Sequence, residues 1–123
     1  MDYCGAIGML TYLTGSVCPD IAMAVHQCAR FSTNPMRLHE QAVMRIGRYL
    51  LSTREKGIIY KPDSTKGIEV YVDADFAGGW DPADSMNADN IYSRTGYVIR
   101  YAGCPIYWQS KLQTEISLST AEV

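Results

Sequence analysis

Five aspartates, Asp73, Asp75, Asp81, Asp84 and Asp89, fall within seventeen residues that contain no Lys or Arg. Carboxylates this close raise one another's pKa unless a cation or a donor neutralises them, so a hard divalent metal such as magnesium is a natural counter-charge. Asp73 and Asp75 stand at i and i+2 near the end of a strand-like run, which points both to one face. That makes them the candidate metal pair. Asp81, Asp84 and Asp89 lie among Pro, Ser and Asn, where aspartate is a turn former. From Asp73 the spacing also imitates a calcium loop, with acids at positions 1, 3, 9 and 12 and Gly78 at position 6. Position 5 is Ala77, position 12 is Asp84 where a bidentate Glu belongs, and a strand stands in place of the entering helix, so the EF-hand is rejected.

Other chemistry is sparse. Cys4, Cys18, Cys28 and Cys104 form no CxxC pair, and a structural zinc site wants paired ligands. Reduced, mostly buried thiols are expected. His26 and His39 fall on helical stretches with no nucleophile in a recognisable context, and His39 reads as a polar helix residue. No phosphate loop, HExxH or GxSxG occurs. Arg37, Arg45 and Arg48 share a helix that could track a phosphate backbone, and a solvated helix face explains them equally well.

The elements that carry these residues change character along the chain. Tyr3, Ile7, Leu10 and Leu13 recur at helical spacing until Gly15-Ser16. Pro19 can open a second helix at its first position, with Asp20 at the positive end of the dipole. Ile21, Ala24, Val25, Cys28 and Phe31 form its apolar stripe. Asn34-Pro35 breaks the chain and offers a cap for a third helix over about 38–53. That helix is expected to bury Ala42, Val43, Ile46, Tyr49 and Leu50, and its Gly47 suggests a close approach. After Gly57 the period becomes 2. Strands are expected at 58–60, 68–73, 95–101 and 105–109, with a turn at Pro62-Asp63-Ser64, a tight turn at Ala102-Gly103 and a loop over 77–93. Ser119-Thr120-Ala121-Glu122 has the form of a capping box opening a further helix.

The 123 residues suffice for one domain, or one and part of another, and 47% hydrophobic with 20% charged residues excludes a disordered tract. No apolar run approaches the ~20 residues that cross a bilayer. The N-terminus carries Asp2 and no basic stretch, a poor signal peptide, so an intracellular location (cytoplasm or nucleus) and no membrane partner are expected. The net charge of −2 hides a split: residues 1–66 carry eight Lys+Arg against five Asp+Glu, and residues 67–123 carry three against eight. Two units with different partners are implied.

The run AIGMLTYLTGSVCPDIAMAVHQCARFSTNP, followed by HEQAVMRIGRYLLST, resembles the copia-type retrotransposon Pol polyprotein just after its reverse transcriptase core. YVDADFAGGWD and SRTGYVIRYAGCPIYWQSKLQTEISLSTAE resemble the start of that polyprotein's ribonuclease H domain. The series covers essentially the whole chain in order. The resemblance implies an α/β fold, with a helical connection segment over 1–56 and, over 57–123, an incomplete ribonuclease H-like sheet of three antiparallel strands. It implies a parent enzyme that cuts the RNA of an RNA–DNA hybrid with two magnesium ions held by four carboxylates. By similarity Asp73 is the first carboxylate and metal ligand, and Asp75 has at most a supporting role. The family's first helix reads S-T-x-E-A-E-Y with the second Glu as ligand. By register Glu122 is the first Glu, a cap partner. The expectation is a fragment that catalyses nothing alone and binds hybrid weakly through Arg45, Arg48, Arg54 and Lys56. The alternative is a non-catalytic module that self-associates through an open sheet edge at 68–72. An active nuclease completed by carboxylates from another protein is a third reading.

Overall fold

A computed structural model of the chain describes residues 1–78, 81–84, 86, 90–119 and 121. Asp89 and Glu122 lie outside the described residues, and so does the capping box expected at 119–122, which needs Glu122. The chain divides into two compact units, Met1–Lys61 and Pro62–Val123.

The first unit is helical: α1 (Tyr3–Ser16), a 3-10 turn (Pro19–Ile21) running into α2 (Ala22–Ala29), and α3 (Arg37–Thr53). Asp2 caps α1, its Oδ1 accepting the Gly5 amide at 3.0 Å. Pro19 stands in the first turn of the second helical stretch, where it lacks only a donor that has no intrahelical partner. Tyr3, Ile7, Leu10, Ile21, Val25, Cys28, Val43 and Ile46 bury one continuous core, and the Tyr3 hydroxyl donates to the Cys28 carbonyl at 2.7 Å. Asn34 does not cap α3. Met36 precedes the helix in extended conformation, and its amide donates to Nδ1 of His39 at 3.0 Å. The His39 ring stacks on Phe31 with centroids 3.9 Å apart, so this histidine is a polar helix residue with a structural task. Ala24, Ala42 and Tyr49 are exposed instead of buried, because the α2–α3 contact closes around Cys28 and Ile46 and leaves the outer positions open. Gly47 also departs from expectation, since a Cβ there would meet nothing within 4 Å.

The second unit is a three-stranded antiparallel sheet in the order β1-β2-β3, with β1 Ile68–Asp75, β2 Arg94–Tyr101 and β3 Cys104–Leu112. The expected strand at 58–60 is absent. Those residues are coil and Ile59 is 86% exposed, and among the described residues they enter neither strand ladder. Ala102 (φ 50°) and Gly103 (φ 78°) supply the two left-handed residues that a two-residue hairpin turn requires. A bulge between Ile99 and Arg100 pairs Ile99 with Tyr107 and Arg100 with Pro105. The turn before β1 is fixed by Asp63, whose Oδ1 accepts from the Thr65 amide (3.0 Å) and hydroxyl (2.6 Å). Those two donors, the hydroxyl first, hold the Asp63 carboxyl below its usual pKa.

Alternation places Ile68, Val70 and Val72 on one face with Tyr97, Ile99, Tyr101 and Tyr107. Glu69, Tyr71, Asp73 and Asp75 share the other face with Arg94, Arg100 and Trp108. Among the described residues of this unit only Ala102, Cys104, Ser93 and Arg94 are buried, all at strand ends or the turn.

Candidate functional site

The acidic end of β1 separates the two carboxylates that the sequence pairs. Both point to the same face, as i and i+2 residues must. Asp73 lies opposite Gly96 of β2, is exposed, and among the described residues makes no side-chain hydrogen bond or ion pair. Asp75 is spoken for. Its Oδ1 accepts the Arg94 amide at 2.6 Å, and its other oxygen lies against Gly78, where a Cβ would strike it. Ser93, 1% exposed, completes the corner: its Oγ accepts the Ala77 amide at 3.1 Å and its carbonyl the Gln113 amide at 2.8 Å. Gln113 in turn donates to Thr95 Oγ1 at 2.7 Å. Asp75 is therefore a clasp between the end of β1 and the start of β2, and Asp73 is the carboxylate left open.

Beyond the clasp, Asp81 and Asp84 behave as turn formers. The Asp81 carboxylate accepts the Ala83 amide at 2.9 Å, and that of Asp84 accepts from Asn90 Nδ2 at 3.0 Å. Among the described residues no group of three or more His, Cys, Asp or Glu stands close enough to hold a metal ion. One open carboxylate does not fit the shared-ligand geometry that a pair of magnesium ions requires.

The cations of the first unit occupy separate surfaces. Arg45 and Arg48 lie on the side of α3 opposite the buried Val43 and Ile46. Arg45 borders a groove of about 450 Å³ between α2 and α3, walled by Ile21, Ala24, Ala42 and Tyr49. Arg48 flanks a different depression with Arg37 and Met44. Arg54 and Lys56 line a third groove, about 510 Å³, with Pro19, Tyr49 and Tyr60. Arg54 also pairs with Glu55 at 3.1 Å, an exposed contact that contributes little. The four cations named from the sequence thus border three separate depressions, not one patch.

Two features here carry no local signal in sequence. Tyr49 donates to Asp20 Oδ2 at 2.6 Å across 29 residues, a bond that raises the tyrosine pKa. Ser93 is an ordinary serine until the corner of the sheet closes around it. Cysteine burial is mixed: Cys28 and Cys104 are buried and Cys4 is exposed, and burial raises the Cys18 and Cys28 thiols. Among the described residues no helix is long and apolar enough to cross a membrane.

Several curated proteins match nearly the whole chain. The retrovirus-related Pol polyprotein from transposon TNT 1-94 of Nicotiana tabacum is 40% identical over 122 residues, 99% of this chain. That from transposon RE1 of Arabidopsis thaliana is 36% identical over 121 residues, 98% of this chain. In each case the chain spans about 8% of the relative's length. The secreted RxLR effector protein 161 of Plasmopara viticola is 33% identical over 122 residues, which cover 99% of this chain and 80% of that protein. No protein-family model and no solved structure matches the chain.

Proposed function

The chain belongs to the copia-type retrotransposon Pol polyprotein family, and from that premise we propose that it corresponds to the stretch joining the reverse transcriptase to the ribonuclease H domain. The observation that carries the reading is the colinear identity over 98–99% of the chain, helical unit and sheet together. In this reading Asp73 stands where the nuclease places its first carboxylate, and Asp75 holds the backbone that presents it. These 123 residues by themselves cleave nothing, because the one open carboxylate at the end of β1 among the described residues cannot position two ions. They bind an RNA–DNA hybrid weakly, through Arg45 and Arg48 along α3 and through Arg54 and Lys56 beside Tyr60.

The test is magnesium-dependent cleavage of a labelled RNA–DNA hybrid, wild type beside Asp73→Asn, with binding followed in the same samples. The expected result is no cleavage in either protein and binding that weakens steeply with salt. Arg45→Ala with Arg48→Ala should lower the salt slope by roughly one for each phosphate no longer neutralised. Cleavage that disappears in Asp73→Asn would overturn the inactivity. A second reading, a non-catalytic interaction module, is supported by the Plasmopara viticola relative, of which the matched segment makes up 80%. Hybrid binding that is absent at low salt would favour it.

A further inference from the structure

Among the described residues β1 is an edge strand, paired with β2 on one side only. The Ala102 amide donates to the Gly67 carbonyl, so the backbone of residue 67 faces β2. Pairing then runs without interruption from Ile68↔Tyr101 to Asp75↔Arg94. In an antiparallel ladder the inward-facing residues alternate, so those at 67, 69, 71, 73 and 75 serve β2. The N–H and C=O groups of Ile68, Val70, Val72 and Ala74 therefore point outward along the open edge. Ile68, Val70 and Val72 are 72%, 57% and 66% exposed. Open backbone groups beside exposed β-branched side chains are the conditions for pairing with another strand.

We propose that a second copy of this chain occupies that edge, its β1 antiparallel to the first about a twofold axis at Val70. Charge and strand length together select the register, since an axis at Ile68 would leave only that residue of β1 paired within the partner's β1. Pairing with both sheets facing the same way matches residues whose numbers sum to an even value. An axis at Glu69 sets Glu69 against itself, an axis at Tyr71 sets Glu69 against Asp73, and an axis at Val72 sets Glu69 against Asp75. Each places like charges directly opposite, which is destabilising. With the axis at Val70, Glu69 faces Tyr71, Asp73 faces Gly67, and Ile68 faces Val72. The outward residues then meet as hydrogen-bonded pairs, about six backbone bonds across the seam. A twofold closes on itself, so the product is a dimer and not a fibre. A one-strand seam is below the standard interface size, so association depends on concentration.

Sedimentation equilibrium of the 123-residue chain tests this. The weight-average mass should rise from 13.7 kDa toward twice that value with loading and go no further. Val70→Lys sets two ammonium groups on the axis and should hold the chain monomeric. Val70→Pro should do the same, since it removes an outward N–H and leaves the β1–β2 ladder whole. Circular dichroism shows whether each variant keeps the sheet, and Val70→Lys decides if the proline variant does not fold. Tyr71→Lys sets a cation opposite Glu69 twice in this register and should tighten the dimer by roughly 2- to 30-fold. With the axis at Tyr71 the same change would set Lys against Lys and weaken it. A monomer at every loading, growth beyond dimer, a dimer that survives both Val70 variants, or weakening by Tyr71→Lys overturns the proposal.

Discussion

Replacing Asp75 and replacing Asp73 should have opposite consequences, although the two stand two residues apart on one strand. Asp75→Ala removes the acceptor of the Arg94 amide, a 2.6 Å bond to a charged group. Such bonds contribute about 1.5–3 kcal/mol, and partial exposure of Asp75 puts this one at the lower end. At 1.4 kcal/mol per factor of ten, a loss of about 1.5 kcal/mol should accelerate exchange of the Arg94 amide roughly tenfold. Asp73→Ala removes an exposed side chain without a partner and should change stability by less than about 0.5 kcal/mol. Gly78→Ala supplies the internal check. A Cβ at residue 78 strikes the Asp75 carboxylate, so the single variant should loosen the same amide. Added to Asp75→Ala it should cost almost nothing more, a non-additivity that marks a shared contact. The assay is residue-resolved hydrogen exchange beside urea unfolding. Unchanged exchange at Arg94 in Asp75→Ala, or an equal loss in Asp73→Ala, would refute the division of roles.

Gly47→Ala should stabilise the helical unit by about 1 kcal/mol, since a methyl group there meets nothing and glycine in a helix carries that penalty; thermal unfolding should shift up by roughly 4–8 °C for a unit of this size. Ala102→Gly should stabilise the sheet by about 1 kcal/mol in urea unfolding, because Ala102 holds φ at 50° where a Cβ is strained. Alkaline pH should loosen the helical unit. Burial raises the Tyr3 pKa, and the bond to Asp20 raises that of Tyr49. The stability these groups contribute is complete below their unfolded pKa of about 10 and is lost as pH rises through the folded values. Helical circular dichroism should therefore fall above about pH 10, and Tyr3→Phe with Tyr49→Phe should flatten that part of the profile.

What the sequence makes legible is what depends on neighbours along the chain. The stripe Tyr3, Ile7, Leu10 marks α1, alternation marks β1, and Ala102-Gly103 marks the hairpin, each from a period or a turn chemistry. The misreadings share a cause. Ile58-Ile59-Tyr60 has the composition of a strand, but a strand exists only where a neighbour accepts its backbone bonds. Asn34 is a good capping residue, yet the donor at the start of α3 is met by the ring of His39 from inside the helix. Asp73 and Asp75 are equivalent by spacing, and what distinguishes them is an amide 19 residues downstream. Ala42 and Tyr49 sit at apolar positions of α3, but which flank of the helix is covered depends on where α2 crosses it.

The two units also differ in how far their own residues cover their apolar surface, and this bears directly on Asp73. The helical unit closes a core of eight side chains. The sheet buries almost none of its strand interiors, and Ile68, Val70, Val72 and Tyr107 remain more than half exposed. A catalytic carboxylate must be held to within about 0.5 Å by a locked environment. Among the described residues Asp73 is carried on a strand with one neighbour, anchored near it by the Asp75 clasp. Whatever pairs along β1 adds backbone bonds at Val72 and Ala74, the residues on either side of Asp73. Covering the edge and fixing the carboxylate are therefore one physical event, and the rigidity of Asp73 is set by the occupancy of the β1 edge more than by anything within the acidic loop.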